Sequence, residues 1–474
     1  TLLAFLLCAV FGAKGQRHQL TITDGYGSGM YAAGDTAYVF SRELAANEVF
    51  LDWNTSVPSL NIIADPQEWR MAFVMPAHDV SLRANFDTIP SSYLQYRELV
   101  LAGGLKPMYY AFPANHRGTV FIFHGTGGDA TGWLGPQRDP IIKELYYEGF
   151  GVVITESEES SRKQDLNGDN KIRWQGYPVD SVANIDYANM KNVMDTLEAE
   201  GLLDRSELYA LGMSNGGSFT GTFSTLFGAK AGVIYCASSQ RIIAQTTQTH
   251  LQFCMMPRDS TIGKQGNDDG FTFHTTIKNR GLCSDYFMNI PFPIYPEYFQ
   301  RIGIPANASN TAYQELQTNL MLDSKGFLLK SDTEIQQDIQ QNPANWPLLG
   351  SASATNLDAL LGLLKEAYAG HKFFTNHNKR SIAFLKDPCA TSTYLEPVSQ
   401  KADIRLFPNP AINNQVFVQG VNPPFQLGVY DQMGRLLLSE KSHNTAKVTL
   451  PEGEGLFFIS IRKRNKHAFL KVLN

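Results

Sequence analysis

Cysteine is nearly absent from this chain: there are five in 474 residues, and no two stand at CxxC spacing. That spacing is what a thiolate zinc site needs, so such a site is excluded. Charge is sparse as well, at 18% of residues with a net of −5, and gives no basic field for nucleic acid. Nor is there an apolar run long enough to cross a bilayer. The run from Leu2 to Ala13 in "TLLAFLLCAVFGAKGQ" is too short for a stable spanning helix, and no transmembrane segment is expected in the mature chain.

What is there begins with that same run. Its lack of charge, followed by the small residues Ala13 and Gly15 around Lys14, reads as a signal peptide over 1–15, without its Met and basic n-region, cleaved near Gly15. Cys8 follows Leu7 rather than a small residue, which argues against a lipoprotein anchor. Removal of the signal leaves Cys236, Cys254, Cys283 and Cys389, an even number for an oxidising compartment. Three pairings are open, and Cys236 and Cys254, inside apolar strands, read equally well as free buried thiols.

Three compositions follow. From 16 to 88, period-two stretches broken by glycine-rich turns imply a small antiparallel β module. From 89 to 390, apolar strands such as "TVFIF", "GVVIT", "ELYALG" and "AGVIYCA" alternate with helical patterns, at Pro140 to Glu148 and near 182–199. In the second helix Met190, Val193, Met194 and Leu197 share one face. Alternating strands and helices imply an α/β sandwich with a mostly parallel sheet, whose function collects at the carboxyl ends of strands. A polar linker over 391–404 then leads to a compact β-sandwich over 405–474, in which "RKRNK" at 462–466 reads as a solvated hairpin turn.

Two of these segments resemble known families. "GSGMYAAGDTAYV", "VFLDW" and "FVMPAHDVSLRANF" resemble the divergent internalin B-repeat of bacterial surface proteins, which implies a spacer or adhesive unit. "LFPNPA", "VYDQMGR" and "LPEGEGLFFISI" resemble the type A C-terminal sorting domain of the type IX secretion system. That second resemblance implies the secretion machinery as a partner, and a secreted or cell-surface location.

The chemistry is expected in the middle segment. Gly212-Met213-Ser214-Asn215-Gly216 is a GxSxG pattern between a strand and a helix, the setting in which a serine can sit exposed on a sharp turn. The glycines are needed because side chains there would strike the neighbouring strand and helix. A serine hydroxyl also needs a base, an orienting acid and an oxyanion hole. For the hole, "HGTGG" ending an apolar strand offers the amide of Thr126 or Gly127, together with that of Asn215. No Gly-Lys-Ser/Thr follows it, so a phosphate loop is excluded.

For the acid, Asp259 lies just beyond the strand "LQFCMM", a placement that Asp268, Asp269 and Asp285 lack. For the base, His371 in a helix break is preferred to His377, while His124, His250 and His274 fall outside the order. With "HGTGG", "GMSNGG", "PRD" and "AGHKF" in that order, residues 105 to 389 resemble an α/β-hydrolase. The gap between Asp259 and His371 exceeds the minimum such a fold needs, and the excess, about 290–350, is read as a cap over the substrate cleft.

"DLNGDNKIRW" adds one further motif. Asp165, Asn167, Asp169 and the Lys171 carbonyl alternate as the first ligands of a calcium loop, but Asn170 replaces the usual glycine and Gly176 the final glutamate. Either a structural calcium or an Asx-rich surface loop follows, and no cofactor is required. The reading overall is a secreted serine hydrolase acting on a carboxylic ester, with polymeric esters in view. A prolyl oligopeptidase-type peptidase is the enzyme alternative, and a non-catalytic surface adhesin is the alternative of another class.

Overall fold

Every residue from Thr119 to Phe123 is buried, and consecutive side chains of this strand serve opposite cores. Val120 and Ile122 pack with Ile141, Ile142 and Leu145 of one helix and with Ile382 and Leu385 of another. Phe121 and Phe123 pack with Met190, Val193, Met194 and Leu197, the helical face read from the sequence, and with Phe219 and Phe223. A strand with helices against both faces has no wet side, which is why it is apolar from Val120 to Phe123.

In this computed structural model the described residues are 16–390, apart from 58–59, 65–66 and 102, and then 405–412, 414–419, 425–431, 436–442, 447–450, 456–463 and 466–473. The expected signal peptide, 1–15, and linker, 391–404, lie outside them. The chain divides into two units, Thr1–Ser91 with Asn376–Lys379, and Ser92–Thr375 with Arg380–Asn474.

The large sheet consists of β1 (Gln95–Leu101), β2 (Gly104–Ala111), β3 (Thr119–Phe123), β4 (Gly151–Ile154), β5 (Leu208–Met213), β6 (Ala231–Tyr235), β7 (His250–Met255) and β8 (Ser284–Met288). Their order is β8-β7-β6-β5-β3-β4-β2-β1. The pairs from β8 through β4 are parallel, while β2 is antiparallel to both β4 and β1. The layers on its faces come from α1 (Asp139–Tyr147), α2 (Ile185–Ala199), α3 (Asn215–Phe227), α4 (Gly263–Asn279) and, late in the chain, α8 (Asn378–Lys386). Helix α2 begins three residues later than its periodicity suggests. Asp180 accepts the N–H groups of Val182 and Ala183 in an Asx turn, and the Asn184 side chain caps the helix by accepting from Asp186.

Between β8 and residue 371 the chain is helical, with α5 (Ala306–Thr318), α6 (Asp332–Gln341) and α7 (Ala354–Tyr368). The helical segment thus runs past 350, to Tyr368. Ser331 and Glu334 form a reciprocal capping box at the start of α6, and Ser353 caps α7. Of the three cysteine pairings, Cys283–Cys389 is formed, and Cys236 and Cys254 are free and buried. The bridge closes a separation of 106 residues. Loops near that length gain on the order of 4 kcal/mol from the lost freedom of the unfolded chain.

Within the first unit, two four-stranded sheets enclose Leu20, Val39, Phe73, Val80 and Leu82. One pairing departs from the antiparallel expectation: Arg17–Thr23 runs parallel to Val80–Thr88, with Leu20 opposite Val80. These are the first and last long strands of the module, and the whole intervening chain serves as the crossover that a parallel pair requires. The segment from 405 onward is a three-stranded and a four-stranded antiparallel sheet around Val416, Leu427, Val429 and Ile459. Lys463 pairs with Lys466 across a hairpin, and 464–465 lie outside the described residues. Among the described residues no helix is long and apolar enough to cross a membrane.

Candidate active site

Ser214 stands between β5 and α3 with φ 59° and ψ −123°, a backbone conformation that non-glycine residues rarely adopt. Holding it there stores on the order of 1–3 kcal/mol. The flanking glycines show what enforces the turn. A Cβ on Gly212 would lie 2.3 Å from the Gly216 carbonyl oxygen, and one on Gly216 would lie 2.3 Å from that of Phe123. Neither position can hold a side chain, so β3, β5 and α3 meet backbone against backbone.

The turn aims the Ser214 hydroxyl at His371, whose Nε2 is 2.8 Å away. On the other side of the ring, Nδ1 is 2.6 Å from Asp259 Oδ2. The carboxylate therefore accepts from Nδ1–H and leaves Nε2 free to take the hydroxyl proton. The second oxygen of Asp259, Oδ1, accepts from the N–H groups of Thr261 and Ile262. Asp259 is fully occupied and buried, and it cannot turn away from the ring.

A backbone bond brings acid and base together across 112 residues of sequence. Arg258 N–H donates to the Ala369 carbonyl at 3.1 Å, and its guanidinium lies 4.2 Å from the centre of the Tyr368 ring. The loop that carries the base is thereby fastened to the loop that carries the acid. The sequence alternatives have other partners. Asp285 pairs with Arg380, Asp268 with Lys264, and Asp269 accepts from Gln265. His377 is buried in the segment 376–379 that groups with the first unit.

Of the oxyanion candidates, Asn215 is the first residue of α3, where an N–H has no partner within the helix. Thr126 and Ser214 line the same cavity. The Gly127 amide is not available, because it donates to the Ile172 carbonyl at 2.7 Å. This narrows the expected pair to Thr126 and Asn215. The Asn215 side chain works elsewhere, accepting from Trp174 N–H and donating to Trp174 O.

His124, at the start of the same loop, is a structural histidine. Its Nδ1 donates to Gly125 O at 2.8 Å and its Nε2 accepts from Ser157 N–H at 3.1 Å. Burial lowers its pKa to about 4.

The calcium-like loop is built from its own N–H groups. Asp165 accepts from Asn167, Gly168 and Asn170, Asn167 accepts from Asp169, and Asp169 accepts from Lys171 and pairs with Arg173. In this structure Asx turns and the Arg173 guanidinium engage these side chains. Among the described residues two other groups of ligand-type side chains converge. One is Cys236 with Asp259 and His371, and the other is His250 with the disulfide-bonded Cys283 and Cys389. The Cys236 thiol is pushed up by burial and the other sulfurs are oxidised, so neither group offers a thiolate.

Ser214 and Thr126 line two cavities. One, of about 360 Å³, also contains His371, Arg138, Lys365 and Lys372. The other, of about 470 Å³, contains Asn215, Trp174, Tyr177, Gln240 and Ile262. The cations of the first cavity are not members of the triad or the oxyanion hole. Lys372 adjoins the base in "AGHKF" and could have been found there, but Arg138 in "GPQRDP" gives no local signal.

The strand order, with a serine after β5, an acid after β7 and a histidine beyond β8, is that of the α/β-hydrolase fold. No family model matches the sequence, and no curated protein does. Solved structures similar to part of the chain include a protein assigned as dipeptidyl aminopeptidase IV from Bacteroides ovatus ATCC 8483. It is 12% identical with a TM-score of 0.32, over 41% of this chain and 32% of that one. A dienelactone hydrolase-like promiscuous phosphotriesterase from metagenomic libraries is 16% identical with a TM-score of 0.30, over 50% and 100%. A hyperthermophilic esterase from the archaeon Pyrobaculum calidifontis is 12% identical with a TM-score of 0.31, over 48% and 86%. The chain spans about a third of the first of these, and likeness at this level says nothing of substrate.

Proposed function

We propose that this chain is a secreted serine hydrolase that cleaves carboxylic esters through an acyl-enzyme. The observation that supports this is the continuous line of hydrogen bonds from Asp259 through His371 to a strained, cavity-lining Ser214. Ser214 Oγ attacks the ester carbonyl as its proton passes to His371 Nε2. The resulting oxyanion is held by the N–H groups of Thr126 and Asn215, aided by the positive end of α3. Collapse returns the proton from His371 to the departing alcohol. Water, deprotonated by the same nitrogen, then attacks the acyl group and releases acid and free serine.

Export by type IX secretion, with the 16–88 module as spacer or adhesive unit and 405–474 as sorting domain, belongs to the same proposal and rests on the sequence resemblances. A fluorophosphonate probe tests the enzyme reading: wild-type protein is labelled and Ser214→Ala is not. Absence of labelling, or labelling unchanged in Ser214→Ala, overturns it in favour of the adhesin. A panel of p-nitrophenyl acyl esters against Xaa-Pro amides separates esterase from peptidase, and turnover of the esters is expected.

A further inference from the structure

Three cations with largely buried side chains are paired among the described residues. Lys106 has Glu158 at 3.0 Å, Lys143 has Asp139 at 2.5 Å, and Arg380 has Asp285 at 2.6 Å. Pairing of this kind is what makes a buried charge tolerable. The cavity on the His371 side of Ser214 breaks the pattern. Lys372 lines it, and its ammonium has neither a hydrogen bond nor an ion pair among the described residues. Its ammonium lies beside Gly362 and Gln137, where a Cβ built on Gly362 would come within 2.9 Å of Nζ.

Arg138 lines the same cavity. Its Nη1 donates to the Gly132 carbonyl at 2.8 Å and its guanidinium lies 5.4 Å from the centre of the Trp133 ring, with no carboxylate bound to it among the described residues. Burial, with Arg138 next in effect, lowers Lys372 to about 8, so the group is still a cation at neutral pH. The cavity also holds Lys365, Asp332 and Asp358. Asp332 is taken by Lys365 at 3.0 Å and Asp358 is exposed. Two further carboxylates act on these cations: buried Glu366 on Lys372, itself within 3.8 Å of Arg301, and Asp129 on Arg138, and neither forms an ion pair with Lys372 or Arg138 among the described residues. Lys372 and Arg138 thus face the cavity with donors that a bound anion can engage directly.

Which half of a substrate would carry the anion follows from the base. His371 must hand its proton to the departing oxygen, so the alcohol half lies on the His371 side and the acyl half on the Asn215 side. Resting on the hydrolase reading above, we infer that the preferred ester carries a carboxylate on its alcohol half, held by Lys372 and Arg138. The ester is then that of a hydroxy acid, whose free carboxylate supplies the direct ion-pair partner that the protein does not.

The test compares 4-acetoxybenzoate with the neutral 4-acetoxybenzamide, two acetates of nearly equal shape that differ in charge on the alcohol half. The wild-type kcat/KM ratio, anionic over neutral, is expected to be at least about tenfold, the effect of one charge-assisted contact. Lys372→Met brings the ratio near one, and Lys372→Arg, which keeps the charge, retains most of it. Fluorophosphonate labelling counts the folded sites in each preparation, and Arg138→Gln serves if Lys372→Met fails to label. A wild-type ratio near one, or a ratio that survives loss of the Lys372 charge, overturns the inference and leaves the hydrolase standing. Hydrolysis of neither ester, without probe labelling, overturns the hydrolase reading instead.

Discussion

Strand Val80–Thr88 of the amino-terminal module alternates buried and exposed residues, whereas β3 to β6 of the large sheet are buried at every position. The difference decides where chemistry can be. A strand with one wet face can present side chains to a partner anywhere along its length. One covered on both faces offers only its ends: Ser214 stands just past the carboxyl end of β5, and Asp259 beyond that of the almost wholly buried β7. In the large sheet the interior provides rigidity and the ends provide reaction.

The sharpest way to break that comparison is to change one carboxylate in each region. Asp259→Asn keeps an oxygen for Thr261 and Ile262 but presents the wrong group to His371 Nδ1, and kcat is expected to fall by about 10⁴. Asp52→Asn, at an exposed strand position of the module, is expected to leave kcat within about twofold, as surface changes do. Steady-state ester hydrolysis checks both, and a similar loss at the two positions would end the distinction.

Glycine gives the next largest effect. Gly216→Ala puts a methyl group 2.3 Å from one carbonyl oxygen and 2.4 Å from another, with no flexible side chain to yield. A loss of about 3 kcal/mol in unfolding free energy is expected, the upper part of the range for overpacking. At Gly29 in the module the nearest atom to an added Cβ is 3.5 Å away, and Gly29→Ala is expected to be neutral or to stabilise by about 0.5 kcal/mol. Denaturant titration of the two variants measures the contrast.

The smallest effect concerns two buried titrating groups near the strand ends. Burial lowers His124 from its ordinary 6.5 to about 4, so its contribution is present above pH 6.5 and is lost as pH falls through 4. Burial raises Asp186 from 3.8 to about 6, so its contribution is present below pH 3.8 and is lost as pH rises through 6. The two oppose each other over nearly one window. His124→Asn removes the first, and its unfolding free energy relative to wild type should rise by about 2 kcal/mol from pH 6 to pH 4. A flat difference would mean that His124 is not held neutral by its surroundings.

Much of the site was legible because its demands are local. GxSxG after a strand announces a turn that only small residues permit, and the order of Ser214, Asp259 and His371 restricts the partners. Helix α2 was legible from its four apolar residues at helical spacing, though Asn184 moved its start. The parallel pairing of Arg17–Thr23 with Val80–Thr88 was not, because alternation fixes the face of a strand and not its neighbour. The cysteine pairing and the commitment of the Gly127 amide to Ile172 likewise depend on distances that no local pattern contains.

The sequence by itself determined which residues could act: a serine flanked by glycines, an acid past an apolar strand, a histidine in a helix break. Only the tertiary structure decided that Arg258 would bind the Ala369 carbonyl and so bring Asp259 and His371 within 2.6 Å. It also decided that Arg138 and Lys372 would share the cavity beside them. The reason is physical. Backbone strain and helical periodicity act over a few residues and are written in local composition, whereas a hydrogen bond or a shared cavity between segments more than a hundred residues apart exists only once the sheet has placed them.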